Sequence, residues 1–571
     1  MGFQSLKPWI RERFHILKQE FGDKEFTSEQ VGEILLKYEK PLENINEFLL
    51  ILSKEGLITS RREGKTFYYR IVRDFPLEVS SIRKDELIKL LKTAADLIRG
   101  GVDYRVLLVL LFYKAMSDKW KTIAEKYYRE FKDWKKAYHF TNIEYYFLYD
   151  EDNDELLTWD VVTKNKAELV QNFIRALNKV AELNPQISDL KILVQKLGFS
   201  GFLDNEDNFV IFRDVVEVFN KADFSKVNYD AVGAAYEWIL WYFAQAQAKA
   251  GENYTPREVI RLIVEILDVE ANKDVLDPAC GSGAMLIEAC RYVSEKYKDG
   301  ETLKLLGQEL NDITAILSKI NLLLHGIKNF EIYTGDSLRN PKFDKANYVI
   351  ANPPWNLDIR DPSAFTREDL RKIYEFGTTP KQSADWLWIQ LMLHFAKEKV
   401  GIVIDNGALF RGGKEKKIRE QIIEKRDYLE CVILLPEKLF YNTGAPGAIM
   451  IFNKNKPEDR KNKILFINAS QEYEKHPEVR RLNILGRKNI NKIVKAYREF
   501  KNIEGFAKVV PIEKIRENDY NLNVTLYVYP KEEWEEIDVE KEWKELKKIE
   551  EELGEVEKRI EGYLREVRVV G

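Results

Sequence analysis

Asn352-Pro353-Pro354-Trp355 closes the apolar run of YVIANPPWNL (348–357) with an amide, two prolines and an indole. Two adjacent prolines give nothing to a β-ladder, and each holds its predecessor extended. The strand therefore stops there and presents Asn352 and Trp355 at its carboxyl end, where ligands sit in open α/β sheets. The Asn352 side-chain oxygen and the Pro353 carbonyl are two acceptors, enough for both hydrogens of an amino group. Such a group on a heteroaromatic base is a weak nucleophile, because its lone pair is delocalised into the ring. Held by two acceptors it turns pyramidal and can enter an in-line displacement, an effect of orientation rather than of prior proton removal. Trp355 offers the base a stacking face, worth roughly 1–3 kcal/mol. In a duplex that amino group is paired, so the base has to be turned out first.

The other partner in such a displacement needs its own pocket. VLDPACGSGAMLIEA (275–289) reads as a strand, a glycine turn and a helix. Gly281 and Gly283 allow close backbone approach, and the helix start beyond offers unpaired N–H groups. Asp277, Ala279 and Ser282 complete the candidate set in this turn. The fingerprint G-x-G-x-x-G is not met, since residue 286 is Leu. Glu309 follows the next strand in LLGQELND, where an acid can accept both hydroxyls of a ribose. Asp336 follows a third strand in YTGDSL, with Ser337 beside it, and can accept from the exocyclic amine of a purine. Three consecutive strand ends outline a nucleoside-shaped site. The expected cofactor is S-adenosylmethionine, its methionine end near Asp277 and the glycine turn, its ribose at Glu309 and its adenine at Asp336.

The elements that must position these groups alternate over residues 231–470. Strands are expected at DVLDPA, LKLLGQEL, EIYTGD, NYVIANP, VGIVIDNG, LECVILLP and AIMIFNK, with helices at 283–297, 312–325, 385–398 and 414–425. That alternation predicts a Rossmann-like, doubly wound, mostly parallel α/β sheet. The last two strands have only EKLFYNTGAPG between them, which predicts an antiparallel strand at one edge. Residues 81–230 are helical by period and form a packing domain. Residues 1–80 give three helices and then ITSRREGKTFYYRIV alternating about a turn, which resembles a winged helix-turn-helix unit. Arg61, Arg62 and Lys65 are candidates there for contact with DNA, and protein docking is the alternative. Residues 471–571 are expected to be a helical, partner-binding region. Within it Leu546, Ile549, Leu553, Val556, Ile560, Tyr563 and Val567 step by threes and fours as a coiled-coil seam, although Gly554 argues against a long rod. GALFRGGKEKK (407–417) brushes against a phosphate-binding loop, but Gly413 stands where that loop needs Lys.

Composition narrows the function. The chain has 571 residues, 45% hydrophobic and 32% charged, which calls for several domains. Cys280, Cys290 and Cys431 and five scattered histidines form no disulfide frame and no metal cluster, so a reducing, cytoplasmic setting without metal is expected. A net charge of −4 is low for a protein that grips DNA unaided, which points to a partner supplying much of that grip.

The set as a whole resembles the amino-methylating DNA methyltransferases. The longer match, over roughly residues 85–530, resembles the M subunit of type I restriction-modification systems. It rests on DPACGSGAMLIEA, GQELNDITAILSKINLLLHGI, GDSL, ANPPWN, SADWLWIQLMLHF, NGALFRGGKEKKIREQIIE and LPEKLFYNTGAPGAIMIFNK. The resemblance implies methyl transfer to adenine N6 in DNA. It also implies a specificity (S) subunit that reads the sequence, two M to one S, with a restriction (R) subunit in the full complex. Tyr254, Thr255 and Pro256 join the cofactor site by the same resemblance, packing over the methionine part. Two features depart from the family: residues 1–80 are not usual at its N-terminus, and Trp355 stands where Phe or Tyr is commoner. The alternatives are methylation of cytosine N4 or of protein glutamine, and a non-catalytic DNA-binding scaffold.

Overall fold

The computed structural model describes residues 8–569 except 22–23, 39, 43, 55–56, 64–65, 72–83, 99–102, 226, 228, 247–254, 298–301, 441–442, 477–478, 480 and 530–538. Tyr254 and Lys65 thus lie outside the described residues.

The N-terminal unit has helices Pro8–Phe21, Ser28–Lys37 and Ile45–Lys54, then a hairpin of Ile58–Glu63 and Thr66–Ile71 extended by Phe26–Thr27. Thr27 caps the second helix in a reciprocal box with Gln30. Phe14, Leu17, Phe26, Val31, Phe48 and Leu52 give the unit its own core. Arg61 is held by Glu25 (Nε to Oε1 2.9 Å, Nη2 to Oε2 2.7 Å), and Arg62 lies over the Phe67 ring. The charge of Arg61 is therefore committed inside the unit.

The helical domain is organised about α1 (Arg105–Phe131), whose residues Val106–Tyr113 are buried all round. A helix apolar on every side has to be enclosed by others. Phe173, Leu177 and Phe212 are among those that enclose it. α2 (Tyr229–Ala246) joins this domain to the sheet.

Nine strands form the main sheet: β1 Asp274–Asp277, β2 Lys304–Glu309, β3 Phe330–Thr334, β4 Ala346–Ala351, β5 Ala396–Asp405, β6 Leu429–Leu434, β7 Gly447–Asn453, β8 Lys463–Asn468 and β9 Ala507–Pro511. Their order is β3-β2-β1-β4-β5-β7-β6-β8-β9. β7 and β9 run antiparallel to their neighbours and the rest are parallel. The strand expected to be antiparallel at an edge, AIMIFNK, is antiparallel but central, and the antiparallel edge strand is β9 instead. β7 is inserted between β5 and β6, pairing Ile402 with Met450 on one side and Val432 with Met450 on the other. Every residue of β7 is buried, as a central position requires. The sheet also runs past residue 470, because β9 pairs with β8 and closes on Pro511, which an edge strand tolerates.

The sheet is covered on both faces by α3 (Arg257–Leu267), α4 (Ala284–Tyr297), α5 (Asp312–Leu324), α6 (Asp385–Phe395), α7 (Gly413–Arg426) and α8 (Arg487–Glu499). Strand side chains alternate between the two cores. Val349, Ala351, Ile402 and Met450 meet Trp386, Leu391 and Ile418, while Tyr348, Ile350, Val403 and Ile449 meet Ile263, Leu286 and Ile493. Leu522, Val524 and Tyr527 also lie in the first of these cores, so the chain up to that point belongs to this domain. α5 serves two cores, since Ile316, Leu317, Ile320 and Leu324 pack into the helical domain. The Tyr236 hydroxyl of α2 donates to the Leu317 carbonyl at 2.9 Å across that seam.

α9 (Val539–Val569) follows as a single helix. It continues through Gly554, contrary to the expected break, since one glycine inside a helix costs only about 1 kcal/mol. Trp543, Leu546, Ile549, Leu553, Val556, Ile560 and Tyr563 are each 46–60% exposed along it. Among the described residues no helix is long and apolar enough to cross a membrane.

Candidate active site

After β3 the chain returns to the middle of the sheet and places β4 beside β1, so a crevice opens at their carboxyl ends. Leu276 opposite Val349 sets the register that brings Asp277 and Asn352 to neighbouring tips.

Beyond Asp277 the turn needs its glycines. Gly281 and Gly283 have φ of +50° and +81°, and a Cβ on Gly283 would lie 2.7 Å from the Ser318 Oγ of α5. The Asn321 amide of α5 donates to the Ser282 carbonyl at 2.9 Å and fixes the turn from behind. The buried Asp277 carboxyl accepts from the Ala279 N–H at 3.0 Å. Burial, and then the charge of Glu309, push that carboxyl up to about 8. Glu309 spans the turn, with Oε2 accepting from the Gly281 N–H at 3.1 Å and Oε1 from the Asn311 N–H at 2.9 Å. Leu310, next to it, is 70% exposed at the lip of the crevice.

Asp336 is less open than its place in the sequence promised. Oδ1 accepts from the Leu338 and Arg339 N–H groups at 3.0 and 3.2 Å, and Oδ2 from Arg339 Nη1 at 2.7 Å. The buried Ser337 hydroxyl donates to the Pro278 carbonyl at 2.6 Å, so it braces the β3 loop against the glycine turn.

On the β4 side, Trp355 Nε1–H donates to Asn352 Oδ1 at 3.0 Å, and Asn352 Nδ2 donates to Thr255 Oγ1 at 2.8 Å. The indole N–H can only donate, so it fixes which end of the amide is oxygen. Thr255 thereby sits at the seam between the two halves, touching Asn352. Pro256, buried, opens α3 just after it. Pro353 is buried and Pro354 exposed, while Trp355, half-buried, meets Phe440 edge to face at 4.8 Å and 69°. A Cβ on Gly447 of β7 would come within 2.9 Å of the Trp355 ring and 2.8 Å of Phe440, so the aromatic pair rests against bare backbone. Phe440 was not singled out by sequence, though an aromatic residue in the glycine-bearing segment before β7 was its signal.

Asn356 follows in the left-handed region, with φ +52°. It is tied to Asp385 and Arg411, in SADWLWIQLMLHF and NGALFRGGKEKKIREQIIE, segments whose spacing alone gave these residues no role. Behind the site, Glu237 of α2 pairs with Arg257, the first residue of α3, and lies 3.8 Å from His325 Nε2. His325 Nδ1 in turn meets the Asn321 carbonyl at 2.9 Å. The helical domain thus touches the supports of both halves of the crevice.

A family model described as N-6 DNA Methylase matches residues 227–536. The type I restriction enzyme MjaVII methylase subunit of Methanocaldococcus jannaschii is 52% identical over the full length of both chains. The chain belongs to the N-6 DNA methylase family, among the type I restriction enzyme methylase subunits. The MjaVIII methylase subunit of the same organism is 45% identical over 99% of each chain, so the match to these two subunits extends over the N-terminal unit too. Among solved structures, a type I restriction-modification methyltransferase subunit from Streptococcus thermophilus superposes with a TM-score of 0.68 at 26% identity, covering 78% of this chain and 99% of that one. The family assigns the chemistry to adenine N6 in DNA, and the alternatives of cytosine, glutamine and an inactive scaffold give way to it.

The residues present fit a sulfonium nucleoside donor. Asp277 is an acid held neutral by burial, a position that an incoming cation relieves. Two left-handed glycines bare the backbone beside it, and Glu309 stands at the next strand end.

Proposed function

We propose that the crevice binds S-adenosylmethionine on its β1–β3 side and an adenine turned out of duplex DNA on its β4 side, and that the two meet at Asn352. When bound, S-adenosylmethionine supplies a methyl group on cationic sulfur. Asp277 and the turn through Ala279, Gly281, Ser282 and Gly283 hold its amino-acid end, Glu309 accepts from the ribose hydroxyls, and Leu310 covers a face of the nucleobase. Asp336 meets the purine amine with the one lone pair, on Oδ2, that Arg339 and two backbone N–H groups leave free. Asn352 Oδ1 keeps one lone pair for the target amino group while the other takes the Trp355 N–H. The Pro353 carbonyl takes the second amino hydrogen. The Trp355 face, its edge fixed by Asn352 and its rim by Phe440, stacks on the base. The observation that carries this reading is the Asn352 amide, pinned between Thr255 and Trp355 at the strand crossing beside Asp277. Nucleoside mass spectrometry of DNA treated with the assembled enzyme tests it. N6-methyladenine is the expected product, and its absence, or N4-methylcytosine in its place, overturns the reading.

The state of Asp277 makes binding depend on pH. Its ordinary value is 3.8, and in the fold it is about 8. Between those values the folded chain carries a proton that the unfolded chain lacks, so the contribution of Asp277 to stability falls as pH rises through that window. A cation bound beside it favours the carboxylate. Donor affinity is therefore expected to climb with pH towards 8 and then level, with a proton released below 8. Calorimetry in two buffers of different ionisation enthalpy measures that proton, and Asp277→Asn should abolish the release.

The apolar stripe of α9 and the low net charge support a second chain that reads the DNA, the S subunit; in this reading the full complex holds two M per S and an R subunit. Leu553→Asp is expected to leave the melting temperature of the isolated chain unchanged, as exposed substitutions mostly stay within about 0.5 kcal/mol. The same change should abolish co-elution with the S subunit in size-exclusion chromatography. Retained assembly would remove α9 from that interface.

A further inference from the structure

Arg411, in the loop after β5, is 29% exposed and spends every guanidinium nitrogen. Nε donates to Glu415 Oε2 at 2.7 Å, Nη1 to Asn356 Oδ1 at 2.7 Å and Asp405 Oδ2 at 3.1 Å, and Nη2 to Ser383 Oγ at 3.0 Å and to Asp385. These partners come from four separate places: the loop after β4, the start of α6, the end of β5 and the start of α7. Asp385 and Glu415 are buried, so removal of the guanidinium would leave uncompensated acids inside the domain. Asn356 is held twice, its side chain by Arg411 and its N–H by Asp385 Oδ1 at 3.2 Å. That grip keeps it left-handed at φ +52° and fixes the direction in which the preceding residue, Trp355, leaves the elbow. Trp355 then fixes the Asn352 amide.

We infer that Arg411 is the positioning residue of the target-base half of the site, setting Trp355 and Asn352 through Asn356. The inference rests on the reading that this elbow receives the base. It assigns a role in turnover to a residue that touches neither donor nor base. Lysine cannot replace it, since a single ammonium cannot span partners that a planar fork reaches on three sides.

The test uses the full chain assembled with its S subunit. Arg411→Lys is expected to lower the rate of methyl transfer by about 10²-fold, the scale of an ångström misplacement, with donor affinity within about twofold. Asn356→Gly keeps the backbone conformation and removes only the side-chain contact, so it should cost roughly 10-fold, one charge-assisted hydrogen bond. The double variant should fall no further than Arg411→Lys. A second readout needs no turnover. In chain labelled with 5-fluorotryptophan, the Trp355 signal, assigned by its loss in Trp355→Phe, should move in both single variants, while the signals of tryptophans other than Trp386, which adjoins Asp385, stay. A stationary Trp355 signal overturns the proposal, and so does a general shift of all signals with loss of donor affinity, which marks a mere brace. A wild-type complex that makes no N6-methyladenine sinks the reading of the reaction, while the fluorine signal still decides for or against Arg411.

Discussion

Asn352→Ala is expected to lower methyl transfer by on the order of 10²–10³-fold, as loss of one preorganised partner of the reacting group does. Donor affinity should stay within about twofold, because Asn352 reaches the donor side only through the Thr255 hydroxyl and touches neither the glycine turn nor Glu309. The structure adds a reason for the size of the effect. Besides an acceptor for the amino group, the substitution removes the anchor of the Trp355 N–H and the partner of the Thr255 hydroxyl. Asn352→Asp separates these contributions. A carboxylate still accepts from Trp355 but has no N–H for Thr255, so its loss should lie between wild type and alanine. Single-turnover transfer and calorimetry with S-adenosylmethionine, run on the same preparations, measure both quantities. Collapse of donor binding in Asn352→Ala would place this residue in the wrong half of the crevice.

Glu309→Ala should do the reverse. Two charge-assisted hydrogen bonds to ribose hydroxyls, each worth about 1.5–3 kcal/mol, make the expected rise in donor Kd at least about 10²-fold. The carboxylate also accepts from Gly281 and Asn311 N–H groups, so part of the loss comes from a slackened turn. Glu309→Gln keeps the length and one acceptor and should cost roughly 10-fold, the difference between a charged and a neutral hydrogen bond. Transfer at saturating donor should recover in Glu309→Gln, whereas no donor concentration rescues Asn352→Ala. If Glu309→Ala bound donor as tightly as wild type, the β2 end would carry no nucleoside.

Much of this site was legible in the chain because its positions are backbone facts. Strands buried on both faces read as continuous apolar runs, and glycines or prolines at their ends mark the turns, so Asp277, Glu309, Asp336 and Asn352 could be placed at strand tips. Neighbour relations were not legible. GAIMIFN is apolar throughout, and nothing in seven such residues says whether they lie at an edge or between β5 and β6. β8 and β9 escaped because KILFIN and AKVVP are short, and they lie at the end of the strand-helix alternation and inside the stretch read as helical. Side-chain pairing escaped for a different reason. Asp336 looks the same in sequence whether it faces a purine or Arg339, and the convergence of Asn356, Asp385, Asp405 and Glu415 on Arg411 needs four segments to be folded before it exists.

The central, antiparallel place of β7 governs when the protein can first work. β5 and β6 are not hydrogen-bonded to each other, and Gly447–Asn453 is the strand that joins them, so the ladder across the sheet is incomplete without that segment. The same strand offers the bare glycine against which Trp355 and Phe440 come to rest. It acts as a keystone, and the seat for the base appears only once the arch is closed. A nascent or truncated chain ending before residue 447 could therefore fold its donor side and still have nowhere to put an adenine.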